Sequence, residues 1–168
     1  EIVFTQLHDM STNIKHITKL LKDHFNGNPW IDITIMGELR SLTAKQAAAK
    51  TGDLNSIWEI VNHMISWRKT LISRVKGKTV KYSDNNFISE VKDKSPAAWK
   101  KTISNFRKSQ EDITGFLVRS DDSLLETISP TSGYTYYELV MAILLHDSYH
   151  LGQIVLIKKL LNEESNNK

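Results

Sequence analysis

Apolar residues recur at intervals of three and four along four long stretches of this sequence, a spacing typical of amphipathic helices. The four predicted helices run from about Val3 to Phe25, from Ser56 to Gly77, from Ser95 to about Leu117, and from Thr135 to about Leu161. The sequence shows neither strand patterns nor internal repeats. It therefore predicts an all-α fold, a four-helix bundle in which residues 1–168 form a single domain.

Capping residues mark where the predicted helices begin. Ser56-Ile57-Trp58-Glu59 and Thr135-Tyr136-Tyr137-Glu138 are both capping boxes, in which the first and fourth side chains each satisfy a backbone N–H group. Pro96 follows Ser95, and proline is favoured at the first position of a helix. Because Glu59 has a structural task at its cap, the sequence gives little reason to assign it a catalytic one.

The connections between the predicted helices are long. Residues 28–55 carry one predicted short helix, from Thr43 to Lys50, and apolar residues from Trp30 to Leu39 that should dock on the bundle. A connection of this length in a compact domain crosses an end of the bundle or builds part of a site. Residues 78–94 are polar and rich in turn residues, which predicts a surface loop, and residues 120–133 form another connection.

Three histidines lie on inward faces of the predicted helices. His146 and His150 are one turn apart on the apolar stripe of the fourth helix, and Gln153 follows on the adjoining turn. His63 lies in the inward row of the second helix. A buried polar group without a partner costs about 1–3 kcal/mol, and a metal ion would satisfy several such groups at once.

Each of these residues also has a structural interpretation. A histidine pair on an apolar helix face is more often hydrogen-bonded core than a ligand pair, and Glu59 is spaced to pair with His63. Gln153 is placed equally well to orient a metal-bound ligand or to bond a backbone group. Gly152 indicates close helix packing. Asp147 could accept an imidazole N–H, but it is a quarter turn from the histidines and a surface position is expected.

The other histidines, His8, His16 and His24, are eight residues apart. That spacing drifts around a helix, so we expect these three side chains to be exposed or at the edge of the bundle.

Three neutral imidazoles would leave a divalent ion with its full charge and at least one open coordination position, which is typical of a catalytic site. A water or thiol bound there would lose its proton near neutral pH. A di-iron centre of the ferritin type is disfavoured, since it needs Glu-x-x-His pairs, whereas three residues separate Glu59 from His63.

Composition narrows the classes of function. The chain has 168 residues, no cysteine and a net charge of +3, which excludes disulfides, a protein thiol nucleophile and cysteine-based zinc sites. The basic cluster from Arg68 to Lys81 is interpreted as a solvated face, so nucleic acid is not an expected partner. No apolar run reaches the ~20 residues of a membrane span, and Glu1 opens no signal segment. A cytoplasmic protein without a membrane partner is expected.

The motifs that carry the histidines resemble those of the DinB/YfiT-like family of bacterial metal-binding four-helix-bundle proteins, over essentially the whole chain. The resemblance rests on the segment from Ser56 to His63, on His146-x-x-x-His150-x-Gly152-Gln153-Ile154, and on the connector from Leu42 to Ala47. It implies long crossover connections and frequently a homodimer. It also implies that His63, His146 and His150 bind a divalent metal ion, zinc or nickel, with water completing the shell.

The resemblance further implies a function. Characterised relatives include S-transferases that use thiols such as bacillithiol or mycothiol, and others are described as metal-dependent hydrolases. A thiol, with a pKa of about 8.5, is deprotonated more easily than water, and sulfur suits zinc or nickel. The favoured function is therefore transfer of a bacillithiol-type thiol to an electrophile through a metal-bound thiolate. The alternatives are a hydrolase at the same site, or a non-catalytic metal-binding or stress-response protein.

The sequence does not assign a catalytic residue besides the ligands; Gln153 and Glu59 are the candidates it leaves open. A pocket beside the histidines lined by residues 28–55 would favour an enzyme. A centre sealed beneath Trp58 and Trp67 would favour a structural role.

Overall fold

The computed structural model describes residues 12–81 and 83–166. These ranges contain seven helices: α1 Thr12–Asn26, α2 Ile35–Arg40, α3 Ala44–Ala48, α4 Ile57–Val75, α5 Pro96–Val118, α6 Asp122–Glu126 and α7 Tyr136–Asn166. Of β-structure they contain only an isolated bridge between Ile128 and Thr135. The all-α prediction is confirmed, and α1, α4, α5 and α7 are the four predicted bundle helices. The predicted start of the first helix, before Thr12, lies outside the described residues.

The predicted caps begin the long helices. The Ser56 hydroxyl accepts from the Glu59 N–H at 3.2 Å, and the Glu59 carboxylate accepts from the Ser56 N–H at 2.7 Å. Thr135 and Glu138 form the same reciprocal pair at the start of α7. Ser95 caps α5, with Pro96 as its first residue. Local sequence therefore fixes where the helices start.

The four long helices are not packed in sequence order. α4 packs against α5 and α7, and α1 packs against α5 and, less extensively, α7. Among the described residues, α1 and α4 make at most marginal contact, as do α5 and α7, so each of these pairs is diagonal in the bundle. Both the connection from α1 to α4 and that from α5 to α7 therefore cross the bundle, as the resemblance implied.

The first connection contains two short helices, whereas the sequence predicted one. The unpredicted helix α2 begins after Thr34, whose hydroxyl accepts from the Gly37 N–H. α2 docks through Ile35, Met36 and Leu39, which are all fully buried, whereas Trp30 is 97% exposed. Within residues 30–39, docking is therefore confined to α2 and does not extend back to Trp30.

Two predictions about surface residues are wrong. His24 is buried, because it falls on the same face of α1 as Leu21 and Phe25; His16 is exposed as expected, and His8 lies outside the described residues. Within the basic cluster, Arg68 and Arg74 are also buried, so the face of α4 that carries them is not solvated.

α7 is apolar enough for its length to raise the question of a membrane. Within Tyr136–Glu163, an 18-residue window reaches a mean hydropathy of 1.4, so the helix meets the length and composition of a membrane span. Val140, Leu151 and Ile154 of this helix are buried within the bundle. Leu145 and Leu156 of the same helix are exposed, so burial in the bundle accounts for only part of its apolar composition.

Candidate metal centre

Three histidines from two helices meet where α4 packs against α7. The Nε2 atom of His146 lies 2.9 Å from Nε2 of His63 and 3.1 Å from Nε2 of His150. One ligand nitrogen from each ring lies within 4.8 Å of the other two. His63 and His150 are buried and His146 is half-buried. The structure thus brings together all three residues that the sequence singled out as metal ligands.

A loop after α4 fixes the ring of His63. Its Nδ1–H donates to the carbonyl oxygen of Asn86 at 2.7 Å. Because a carbonyl can only accept, the proton is on Nδ1 and the Nε2 lone pair faces the other histidines. The expected partner, Glu59, is not the one that the structure uses.

The loop that supplies this carbonyl has an unusual backbone. Asn86 and Phe87 have φ angles of +52° and +61°, in the left-handed region that a bulky side chain such as Phe87 rarely adopts. The Phe87 N–H donates to the Ser83 hydroxyl at 2.6 Å, and the Phe87 ring packs edge-on against Trp67, with centroids 5.6 Å apart. These contacts hold the carbonyl against His63, so this part of the predicted surface loop belongs to the site.

Gln153 fixes the ring of His150. The Nδ1–H of His150 donates to the Gln153 side-chain carbonyl at 2.7 Å, and the Gln153 amide N–H donates to the Tyr149 hydroxyl at 3.0 Å. Gln153 therefore bonds neither a backbone group nor the open side of the centre, and it leaves the Nε2 lone pair of His150 free. A Cβ at Gly152 would meet no atom within 4 Å, so the predicted close packing there is wrong.

The arrangement fits a metal ion. With protons on Nδ1 of His63 and His150, the lone pairs of both Nε2 atoms face Nε2 of His146, which can donate a proton fully to only one of them. Nitrogens bound to one ion at about 2.0–2.1 Å would be about 2.9 Å apart at right angles and about 3.3 Å apart in a tetrahedron. The two separations from His146, 2.9 and 3.1 Å, match that range, and the ligand nitrogens of His63 and His150 lie within 4.8 Å of each other. Imidazole ligands suit zinc or nickel.

Burial keeps two of the rings neutral. The pKa of His63 is lowered by burial, against its hydrogen bond to Asn86, and the neighbouring His146 lowers it further. The pKa of His150 is lowered to about 4, mainly by burial and further by the two neighbouring rings, with the bond to Gln153 opposing. At neutral pH both rings are therefore in the form that binds a metal ion.

Asp147, expected at the surface, is instead 1% exposed. The Arg68 guanidinium donates to its Oδ2 at 2.5 Å, and both side chains are 1% exposed. Burial would raise the pKa of Asp147, but the charge of Arg68 and the proximity of His146 outweigh it and lower the pKa. The sequence prediction failed because it had no means of placing Arg68, 79 residues away, beside Asp147.

The Glu59 carboxylate is occupied by contacts that stabilise the fold. Besides its cap with Ser56, its carboxylate forms an ion pair with Lys50 at 3.1 Å. Those contacts lower its pKa against the opposing effect of burial. Glu59 is also outside the group of converging ligand atoms. The structure thus bears out the capping interpretation.

A cavity of about 170 Å³ opens beside the His146 ring, between α4 and α7. Its lining is largely apolar and consists of Trp67, Thr70, Leu71, Arg74, Leu139, Ala142, Ile143 and His146. The connector at residues 28–55 contributes instead to a second cavity of about 210 Å³, where Asp53, Leu54 and Asn55 face Gln153. The cavity beside the histidines is therefore lined by helices α4 and α7, and the connector lines a different cavity that reaches Gln153 but none of the three histidines.

Trp58 does not seal the centre. Its ring lies 5.0 Å from that of Trp99, and its indole N–H donates to the Thr102 hydroxyl in the core. Trp67 is the tryptophan at the site, with its ring centroid 6.0 Å from that of His146.

Comparison with known proteins agrees with the geometry. No curated protein and no solved structure matches the chain at a significant level. The family profile of the DinB superfamily matches residues 35–154, which run from the start of α2 through the last residue of the histidine motif and include His63, His146 and His150. Since that match covers most of the chain, and the fold is the helical bundle it requires, this protein belongs to the DinB superfamily.

Proposed function

We propose that the protein transfers a low-molecular-weight thiol to an electrophile, using a divalent metal ion held by His63, His146 and His150. The observation that carries the proposal is the convergence of three Nε2 atoms, of which two are fixed by hydrogen bonds from the opposite ring nitrogens. A divalent ion in such a site supplies a positive charge that lowers the pKa of a coordinated thiol.

The chain's own residues explain why a thiol is favoured over water. Hydrolysis gains from a carboxylate that accepts the proton of a water molecule. Among the described residues, the carboxylates nearest to the site in sequence face protein groups: Glu59 pairs with Ser56 and Lys50, and Asp147 pairs with Arg68 through Oδ2 and lies beside the outer ring nitrogen of His146 through Oδ1. A thiol needs less assistance, because its pKa of about 8.5 is far closer to neutral.

The cavity beside His146 supports a small, largely apolar electrophile. Trp67, Leu71, Leu139 and Ile143 give the cavity apolar walls beside His146, which suits an apolar substrate group. In the proposed reaction the sulfur forms a bond to the electrophilic carbon, the leaving group departs with its electron pair, and the thiol proton is released to solvent. No oxidant or reductant is needed.

The test is turnover of a chromogenic electrophile with bacillithiol, mycothiol, glutathione or cysteine. Zinc-loaded and nickel-loaded protein should show thiol-dependent turnover that chelation abolishes and that His146→Ala lacks. Thiol-independent ester or amide cleavage that chelation abolishes would assign a hydrolase instead. Full metal loading without turnover of any substrate would favour a binding protein.

We also propose that the protein is a homodimer. Leu145, Tyr149 and Leu156 on α7 are 67%, 65% and 54% exposed, and their spacings of four and seven residues place them on one stripe of the helix. An exposed apolar stripe of this kind suits a partner surface. Light scattering should give about twice 19.2 kDa for the wild type, and Leu145→Glu should reduce it. A wild-type mass near 19.2 kDa would refute the dimer.

A further inference from the structure

Of the three converging histidines, His146 alone has a second ring nitrogen without a hydrogen-bond partner among the described residues. That nitrogen, Nδ1, is buried and lies 3.9 Å from Oδ1 of Asp147. Oδ1 is itself buried and has no hydrogen-bond partner in the described ranges. A ring nitrogen and a carboxylate oxygen, both without partners, thus lie close together, about 1 Å beyond hydrogen-bond distance.

We propose that Asp147 is a positioning residue for His146. Its Oδ1 accepts the Nδ1–H of His146 and thereby selects the tautomer whose Nε2 lone pair faces His63 and His150. The inference deepens the proposed function, because it assumes that the three histidines hold a metal ion. Asp147 does for His146 what the Asn86 carbonyl does for His63 and what Gln153 does for His150.

The other oxygen of Asp147 is held so that Oδ1 remains available. Arg68 donates through Nη2 to Oδ2 of Asp147 and through Nη1 to the Gln110 side-chain carbonyl at 2.7 Å. Gln110 in turn donates to the backbone carbonyl of Leu21 at 3.0 Å. These bonds link all four long helices and fix the carboxylate beside the metal centre.

Two aromatic rings restrain the guanidinium. The Arg68 guanidinium carbon lies 5.0 Å from the ring centroid of Phe25 and 4.7 Å from that of Phe106. Cation–π contacts of this kind add attraction within a dry environment. A side chain restrained on so many sides can orient Asp147 reproducibly, and Asp147 can then orient His146.

A purely structural ion pair would behave differently from a positioning carboxylate. In Asp147→Asn, the amide oxygen would face Arg68 and the amide N–H would face Nδ1 of His146. That donor would force the proton of His146 onto Nε2, where it would block the lone pair. Removing Asp147 should therefore change the tautomer of His146 even when the fold is intact.

The experiment measures two properties of the whole protein, its zinc dissociation constant by chelator competition and the tautomer of His146 by nitrogen NMR of the metal-free form. The variants are Asp147→Asn and the double variant Arg68→Met/Asp147→Leu, which replaces the buried pair with apolar side chains and carries the test if Asp147→Asn fails to fold. Asp112→Asn is the matched control, because it removes one carboxylate from a surface pair with Lys108.

We expect Asp147→Asn and the double variant to bind zinc about 10–100-fold more weakly, with the His146 proton moved from Nδ1 to Nε2, and Asp112→Asn to match the wild type. Wild-type affinity together with an Nδ1-protonated His146 in the folded double variant would overturn the positioning role. If the wild type binds no zinc, the proposed function fails, and the tautomer comparison still decides the role of Asp147.

Discussion

Two buried polar clusters lie side by side in the bundle, one around Asp147 and one around His146 of α7, and they differ in how their charges and lone pairs are satisfied. Around Asp147, the carboxylate meets the Arg68 guanidinium, so positive and negative charge balance within the protein. Around His146, the Nε2 atoms of three histidines converge, and at least two of them, those of His63 and His150, present lone pairs. Buried polar groups are normally paired. The first cluster is therefore balanced in charge by the protein itself, with only Oδ1 of the carboxylate left to face His146. The second has the character of a site that a ligand completes.

The largest expected effect on stability comes from breaking the buried ion pair between Arg68 and Asp147. Arg68→Met leaves the Asp147 charge buried without its partner, and removing one member of a buried pair costs about 3–5 kcal/mol of the free energy of unfolding. The double variant Arg68→Met/Asp147→Leu should recover most of that loss, because no unpaired charge remains. Urea denaturation at pH 7 measures both. Equal destabilisation of the single and double variants would show that the charge pair is not what matters.

Acidification should lower the stability of the metal-free protein through the histidine cluster. The pKa of His150 is about 4 in the folded protein, against 6.5 as its ordinary value, so the unfolded chain binds its proton first as pH falls. The metal-free protein should keep full stability above pH 6.5 and lose about 3 kcal/mol by pH 4, from this residue alone.

The control for the pH dependence is His150→Gln, which removes the titrating ring. Its free energy of unfolding should change less over the same pH range. A metal-free wild type whose stability is flat between pH 6.5 and pH 4 would contradict the burial of a neutral His150.

Metal binding should stabilise the folded protein by no more than the amount that acidification removes. Zinc at about 100 times its dissociation constant adds about 2.7 kcal/mol to the free energy of unfolding. The increase should vanish in His146→Ala and should be absent with magnesium, which prefers oxygen ligands. Thermal denaturation with each ion tests this, and equal stabilisation of wild type and variant would place the ion elsewhere.

The smallest effect is expected at Glu59, which belongs to neither cluster. Glu59→Gln keeps the capping box, since glutamine also serves at that position, but it loses the ion pair with half-exposed Lys50. The variant should lose at most about 1 kcal/mol of stability and keep wild-type turnover of the thiol substrate. A collapse of kcat in this variant, with metal content unchanged, would make Glu59 a catalytic residue.

Much of the fold was predictable because its signals are local. Helical periodicity and the caps at Ser56, Ser95 and Thr135 gave the starts of three long helices. α2 and α6 have only six and five residues, too few to show a period. The equally short α3 was predicted, and of the three it alone begins with a capping box, formed by Thr43 and Gln46. The placement of α2 and α6 depends on docking against the bundle.

The residues of the site likewise divide into those that the local sequence reveals and those that it does not. His63, His146 and His150 were predictable, because side-chain type and helical spacing both appear in the sequence. Asn86 acts through its backbone carbonyl, which leaves no residue-type signal. The burial of Asp147 depends on a partner 79 residues away, so no local pattern reveals it.

The central claim is that three imidazoles hold one divalent ion, and metal content tests it most directly. Wild type and His150→Ala should be purified in parallel without chelators, reloaded with zinc or nickel, desalted and analysed for metal per chain, with circular dichroism to verify helix content. We predict one ion per wild-type chain and essentially none in the folded variant. Equal metal content in the two proteins, or none in the wild type, would contradict the account.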